Sequence, residues 1–277
     1  MRMIRTRDEL RSALGAARRP IGLVATMGWL HEGHRSLVRR SRQENATTVA
    51  TIFVNPRQFG DRADFERYPR NEARDLGLLA DEGVDLVFVP DVDEVYPPGF
   101  DTLVSVGAVA RPLEGAARPG HFGGVATVVA ILFDLVGADR AYFGQKDAQQ
   151  GMVIRQMARD LALSTQVIDC PTVREPDGLA MSSRNARLTP DQRSAAPVLR
   201  QALLAARDAW QDGERSAEAL RERMRARLAD EPLAIVEYVS CADGRTLAEL
   251  DRVDGPALLS LAVRFGDVRL IDNETIG

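Results

Sequence analysis

Apolar positions along the chain come in two rhythms. Short, almost wholly apolar runs at 21–26, 48–54, 85–89, 140–143 and 165–168 read as strands. Between them, apolar residues recur at helical spacing over 33–45, 71–82, 125–136 and 149–161. Strands that do not alternate with polar residues are buried on both faces. Their alternation with helices predicts an α/β fold, a Rossmann-like parallel sheet with helices on both faces. Beyond residue 171 the rhythm changes. Thr189-Pro190 has the form of an N-cap followed by proline at the first helical position, opening a helix to about 211, and a second helix covers 216–229. Strand-like runs follow at 234–240, 257–263 and 268–271. The expected organisation is a Rossmann-like domain over 1–171 and a smaller α+β C-terminal domain over 172–277.

Composition narrows the function. A length of 277 residues suits two domains, and 45% hydrophobic residues can build cores, which excludes disorder for the chain as a whole. Lys and Arg number 36 against 40 Asp and Glu, a net charge of −4 that argues against a nucleic-acid partner. The longest apolar run, 125–136, contains Asp134 and is shorter than the roughly 20 residues that cross a bilayer. The first residues, Met1-Arg2-Met3-Ile4-Arg5, carry charge where a signal peptide needs an apolar stretch. Cys170 and Cys241 form no metal or redox spacing. A cytoplasmic protein with no membrane partner is expected.

Rare residues mark the candidate chemistry. Of the 36 basic side chains only Lys146 is lysine. The 3 histidines, His31, His34 and His121, all lie in glycine-containing segments. In Thr26-Met27-Gly28-Trp29-Leu30-His31-Glu32-Gly33-His34 a strand ends, glycines let backbone approach a ligand, and a helix begins. A helix N-terminus offers free N–H groups and a positive dipole, a site for phosphate, and two imidazoles there can donate to phosphate oxygens. A metal pair and a plain helix start are the competing readings. The strands at 48–54 and 140–143 run into Asn55-Pro56-Arg57-Gln58-Phe59 and Gly144-Gln145-Lys146-Asp147, so candidate groups gather at strand carboxyl ends, where such sheets bind ligands. Asp75 reads as a helix-face residue or a magnesium contact, and Arg118 and His121 as site or structural residues alike. The arginines over 221–227 read as a solvated helix face.

The His-x-Gly-His segment after a first strand resembles the HIGH-type nucleotidyltransferases. Further segments occur in order: Asn55 to Phe59, Tyr68-Pro69-Arg70, Leu113-Glu114-Gly115, Arg118-Pro119-Gly120-His121-Phe122-Gly123-Gly124, Phe143 to Gln150, Asp177 to Asn185 and Arg269-Leu270-Ile271-Asp272-Asn273. With them nearly the whole chain resembles the pantoate–β-alanine ligases. That resemblance implies a homodimeric enzyme using ATP and Mg2+ to activate pantoate as pantoyl adenylate, releasing pyrophosphate. β-Alanine then displaces AMP to give pantothenate. It implies that the first domain binds nucleotide and pantoate and that the second closes over the ATP site. It assigns Met27, Gly28, Trp29, Leu30, His31, Glu32, Gly33 and His34 to the ATP phosphates, with His34 the proton donor and His31 and Lys146 beside it in catalysis. Gly144, Gln145, Lys146, Asp147, Met181, Ser182, Ser183 and Arg184 complete the ATP site, Val173 meets adenine through its backbone, and the magnesium ligands stay unknown. Gln58 and Gln150 hold pantoate, and Gln58 also meets β-alanine. Ala25 stands where such ligases usually have proline, Gln145 where Glu is frequent, and Arg187 where an aromatic is. Another small-acid adenylating enzyme of the superfamily, and a nucleotide sensor without turnover, are the alternatives.

Overall fold

The computed structural model describes residues 1–60 and 62–277. Two compact units emerge: Met1–Ala110 with Glu114–Gln145 and Gln149–Pro171, and Arg111–Leu113 with Lys146–Ala148 and Thr172–Gly277.

The first unit is a parallel sheet of β1 (Arg2–Ile4), β2 (Ile21–Thr26), β3 (Thr47–Ile52), β4 (Leu86–Phe88), β5 (Arg140–Gly144) and β6 (Gln166–Cys170), in the order β1-β4-β3-β2-β5-β6. Every neighbouring pair is parallel. Period-two alternation loads both faces. Leu23, Ala141, Phe143 and Phe88 enter one core with the helix His121–Val136, while Val24, Tyr142 and Val87 enter another with the helices Glu32–Glu44 and Glu72–Asp81. The expected sheet with helices on both faces is therefore present.

The chain leaves β2 through β3 and β4 on one side and returns with β5 and β6 on the other. Strand order reverses beside β2, and ligands bind at such a reversal, outside the carboxyl ends. The helix Glu32–Glu44 lies close on β2 because Gly22 has no side chain. A Cβ there would meet Ser41 Oγ at 2.2 Å and Asn45 Nδ2 at 2.4 Å.

The second unit packs the helices Val198–Gln211 and Ala217–Ala229 on an antiparallel sheet of β7 (Ile235–Asp243), β8 (Ala257–Phe265) and β9 (Val268–Ile276).

Several boundaries differ from expectation. β1 carries no periodic signal, being three residues long at a sheet edge with Met3 exposed. The expected helix from 190 to 211 is two, Pro190–Ala195 and Val198–Gln211, because Pro197 lacks an N–H and takes the N-cap of the second. The helix expected from 125 begins at His121, where Gly120 turns at φ 82°. The arginines over 221–227 are not uniformly solvated. The Arg221 side chain is 12% exposed and donates to the carbonyls of Cys241 (3.4 Å) and Leu250 (3.1 Å).

Candidate active site

The segment after β2 is a rigid turn. Thr26 Oγ1 donates to the Thr51 carbonyl at 2.6 Å and accepts the Gly28 N–H at 3.2 Å. Gly28 (φ 81°) and Trp29 (φ 50°) both adopt the left-handed region. For tryptophan that conformation costs on the order of 1–3 kcal/mol and needs its surroundings to hold it. The hold comes from 45 residues or more away: Asp75 accepts the Trp29 N–H at 2.6 Å and the Leu30 N–H at 2.8 Å. Arg74 donates to the Leu30 carbonyl at 2.9 Å and lies 5.2 Å from the Trp29 ring centroid. Asp75, left open in the sequence between a helix-face residue and a magnesium contact, is wholly buried and braces the turn.

His31 follows as N-cap of the helix Glu32–Glu44. Its Nδ1 accepts the Gly33 N–H at 3.2 Å, and His34 Nδ1 accepts the His31 N–H at 3.3 Å. Each backbone donor fixes a tautomer: with Nδ1 accepting, the proton of a neutral ring sits on Nε2. Two imidazoles with ring centroids 4.1 Å apart therefore present Nε2–H donors at a helix N-terminus.

The same helix is anchored by charge. Glu82 accepts from Arg35 at 2.6 Å and from Arg39 at 2.7 Å, and its side chain is only 9% exposed. The Arg39 and Arg35 guanidiniums, outweighing desolvation, hold the Glu82 carboxyl below its ordinary 4.5. A depressed folded-state pKa gives stability that is complete above the unfolded value and lost as pH falls through the folded one. Stability of the wild type should thus decline as pH drops below about 4.5 in part through this group. In Glu82→Gln that segment of a urea-melt series against pH should be flatter, and an unchanged slope would show that the anchor adds nothing.

A second loop meets the first. After β3, Asn55 begins a tight 3-10 turn, Pro56–Gln58. Asn55 is 1% exposed, accepts the Arg57 N–H (3.2 Å) and the Tyr96 hydroxyl (2.7 Å), and donates to Gln58 Oε1 (3.0 Å) and the Gly124 carbonyl (3.1 Å). Burial pushes the Tyr96 phenol well up, so it stays a donor. Gln58 Nε2 donates to Met27 Sδ at 3.1 Å, which brings the Gln58 amide onto the segment after β2. The Gln58 carbonyl pairs with His121 Nδ1 at 2.9 Å, and Arg118 Nη1 lies 3.1 Å from His121 Nε2. His121 is thus the Nδ1–H tautomer and supports the Gln58 turn. Gly124 allows the close approach, since a Cβ there would stand 2.2 Å from the Arg57 carbonyl oxygen.

β5 ends at Gly144 and Gln145 follows it, both half-buried, at the first unit's side of the boundary. Gln149 is spent on backbone, accepting from Glu114 N at 3.0 Å and donating to the Val109 carbonyl at 2.9 Å. The neighbouring Gln150 is half-buried.

The second unit gathers the remaining candidates in two places. In one, the Met181 N–H donates to the Val173 carbonyl at 3.0 Å, closing a hairpin-like loop. Arg174 clamps it to Asp272 of β9 with bonds of 2.6 and 3.0 Å. Ser182 Oγ accepts the Arg184 N–H at 3.3 Å, and Ser183 is buried. Asn185 donates to the Ala180 carbonyl at 3.0 Å while its buried Oδ1 has no protein partner among the described residues. In the other, the Lys146 carbonyl accepts from Asn273 Nδ2 at 2.8 Å, and Lys146 Nζ stands 3.5 Å from Asp147.

Sequence reading assigned no role in the site to Tyr96 or Arg74, and gave Asn55 none of its own. Asn before proline at a strand end is a usable turn signal; nothing local ties residues 74–75 to residue 29. No helix is long and apolar enough to cross a membrane among the described residues. No group of three His, Cys, Asp or Glu among them could cage a metal, and both Asp75 oxygens already accept backbone N–H bonds. The residues do not fit a magnesium site built by protein alone.

A profile described as pantoate-beta-alanine ligase matches residues 2–275. A pantothenate synthetase of Roseiflexus sp. (strain RS-1) is 60% identical over 273 residues, 99% of this chain and 98% of the relative. A crystal structure of pantothenate synthetase from Thermus thermophilus superposes with a TM-score of 0.95 at 48% identity, covering 99% of both chains. Pantoate-beta-alanine ligase from Francisella tularensis, solved in complex with beta-gamma ATP and beta-alanine, gives a TM-score of 0.83 at 32% identity over 99% of this chain and 97% of that one.

Proposed function

The chain belongs to the pantoate-beta-alanine ligase family, and from that premise we propose an ATP-dependent route through pantoyl adenylate. A free carboxylate is a poor acyl donor because oxide is a poor leaving group. Attack of the pantoate carboxylate on the α-phosphorus of ATP forms an acyl–phosphate bond and expels pyrophosphate. The amine of β-alanine then attacks the acyl carbon, loses a proton, and expels AMP, leaving the amide of pantothenate.

The observation that carries this reading is the histidine pair. Two Nε2–H donors at a helix N-terminus suit a phosphorus centre gaining negative charge. We assign His34 as proton donor to the departing pyrophosphate, with His31 beside it and Met27 to Gly33 along the phosphates. Gly144, Gln145, Asp147 and Ser182 to Arg184 are assigned to ATP, and Lys146 to a phosphate oxygen, where a compact ammonium fits better than a planar fork. Val173 and Met181 are assigned to adenine and its surroundings. The Gln58 amide, held by Asn55 and aimed at Met27, suits the polar end of pantoate in both steps and the incoming β-alanine. Gln150 is assigned as the second pantoate contact. Magnesium is assigned to the nucleotide's own phosphates, and no step is routed through it.

The chain lacks a Gly-x-x-x-x-Gly-Lys-Ser/Thr loop, the usual cradle for β/γ transfer, which favours cleavage at the α-phosphate. ATP and pantoate without β-alanine should give pyrophosphate and a bound intermediate. With ¹⁸O in the pantoate carboxylate, one label should appear in AMP after β-alanine is added. ADP as stoichiometric product, or label in inorganic phosphate, would sink the adenylate route.

A further inference from the structure

We propose that Asp75, together with Arg74, is a positioning residue that holds the left-handed turn at Gly28–Trp29 and so sets the histidine pair; this rests on the reading of those histidines given above. The turn is strained at Trp29, and two consecutive amides of it are taken by the buried carboxylate of Asp75, at 2.6 and 2.8 Å. Its remaining charge is met by Arg74 Nη1 at 3.1 Å, and the same guanidinium takes the Leu30 carbonyl through Nη2. One carboxylate thus holds the N–H groups of residues 29 and 30, and one guanidinium holds the carbonyl of residue 30. The residue that follows is His31, whose N–H orients His34. Gly28 fits the same grip, because a Cβ there would crowd Asp75 Oδ2 at 3.1 Å and Ile52 Cγ2 at 3.2 Å. Asp75 therefore need not touch substrate to govern the rate.

Asp75→Asn keeps volume but sets an N–H donor against one of the two amides and removes the charge that Arg74 faces. Trp29 reports on the turn directly once Trp210→Phe makes it the single tryptophan of the 2 in the chain. In that background Asp75→Asn should raise acrylamide quenching of Trp29 about two-fold. It should also lower the rate of pyrophosphate formation from ATP and pantoate on the order of 100-fold, the scale of a misplaced catalytic group. KM for β-alanine should not move. Arg74→Gln, at a more exposed position, should shift both readouts the same way by less, and it serves where Asp75→Asn fails to fold. Unchanged quenching in both variants, with only the melting temperature lowered, would overturn the positioning role. Raised quenching with a wild-type pyrophosphate rate would instead overturn the reading of the histidines while leaving the grip on the turn intact.

Discussion

Replacing His34 by alanine should cut pantoyl-adenylate formation by roughly 100- to 1,000-fold, the usual loss for one preorganised transition-state donor. His34 has two duties. Its Nδ1 accepts the His31 N–H, which closes the capping arrangement, and its Nε2–H is the donor proposed above for the departing pyrophosphate. Losing the first costs about 1 kcal/mol of stability, as caps do; losing the second costs the rate. His34→Asn separates them, since an amide oxygen can still accept the His31 N–H but sits too short for the outer donor. Stability should return in His34→Asn and the rate should not. Pyrophosphate release at near wild-type rate in either variant would remove His34 from the chemistry.

Lys146→Arg should lose on the order of 100-fold in the same half-reaction, although every other basic residue of the 36 is arginine. The backbone there has little room to adapt, because the Lys146 carbonyl is held by Asn273 at 2.8 Å and the side chain is only 18% exposed. A longer, planar fork cannot be retracted by moving the chain. Adenylate formation within a few-fold of wild type would mean that the single lysine is an accident of composition. Asn273→Ala adds a check: it frees the carbonyl, so it should recover part of the activity of Lys146→Arg.

What is legible in the sequence is whatever depends on near neighbours. Strands buried on both faces and amphipathic helices follow from periodicity, so the parallel sheet, its helices and the α+β C-terminal part can be read. Local punctuation is legible where its chemistry is strong, as in the Thr189-Pro190 start. It fails at Pro197, where the apolar rhythm on either side masks a break. β1 is invisible because three residues at an edge owe their conformation to β4 rather than to their own pattern. The residues expected to meet ligands stand out by their rarity and by resemblance, as glycine-flanked histidines and a lone lysine. Their supports do not, because a buried carboxylate 46 positions from the amide it holds leaves no periodic trace. For the same reason Asn55 reads as a turn residue, while the fold also makes it the hinge-pin of Gln58 through Tyr96 and Gly124.

Each unit carries one thiol. Cys170 closes β6 in the first at 4% exposure, and Cys241 lies in β7 of the second at 0%. Burial raises both, Cys241 to about 11, so neither offers thiolate to a reagent while its sheet is intact. The native chain therefore carries one buried stopwatch in each unit. Disulfide-exchange reagents will register the opening of the parallel sheet at one position and of the antiparallel sheet at the other. A single mass spectrum of peptides resolves which half breathes first.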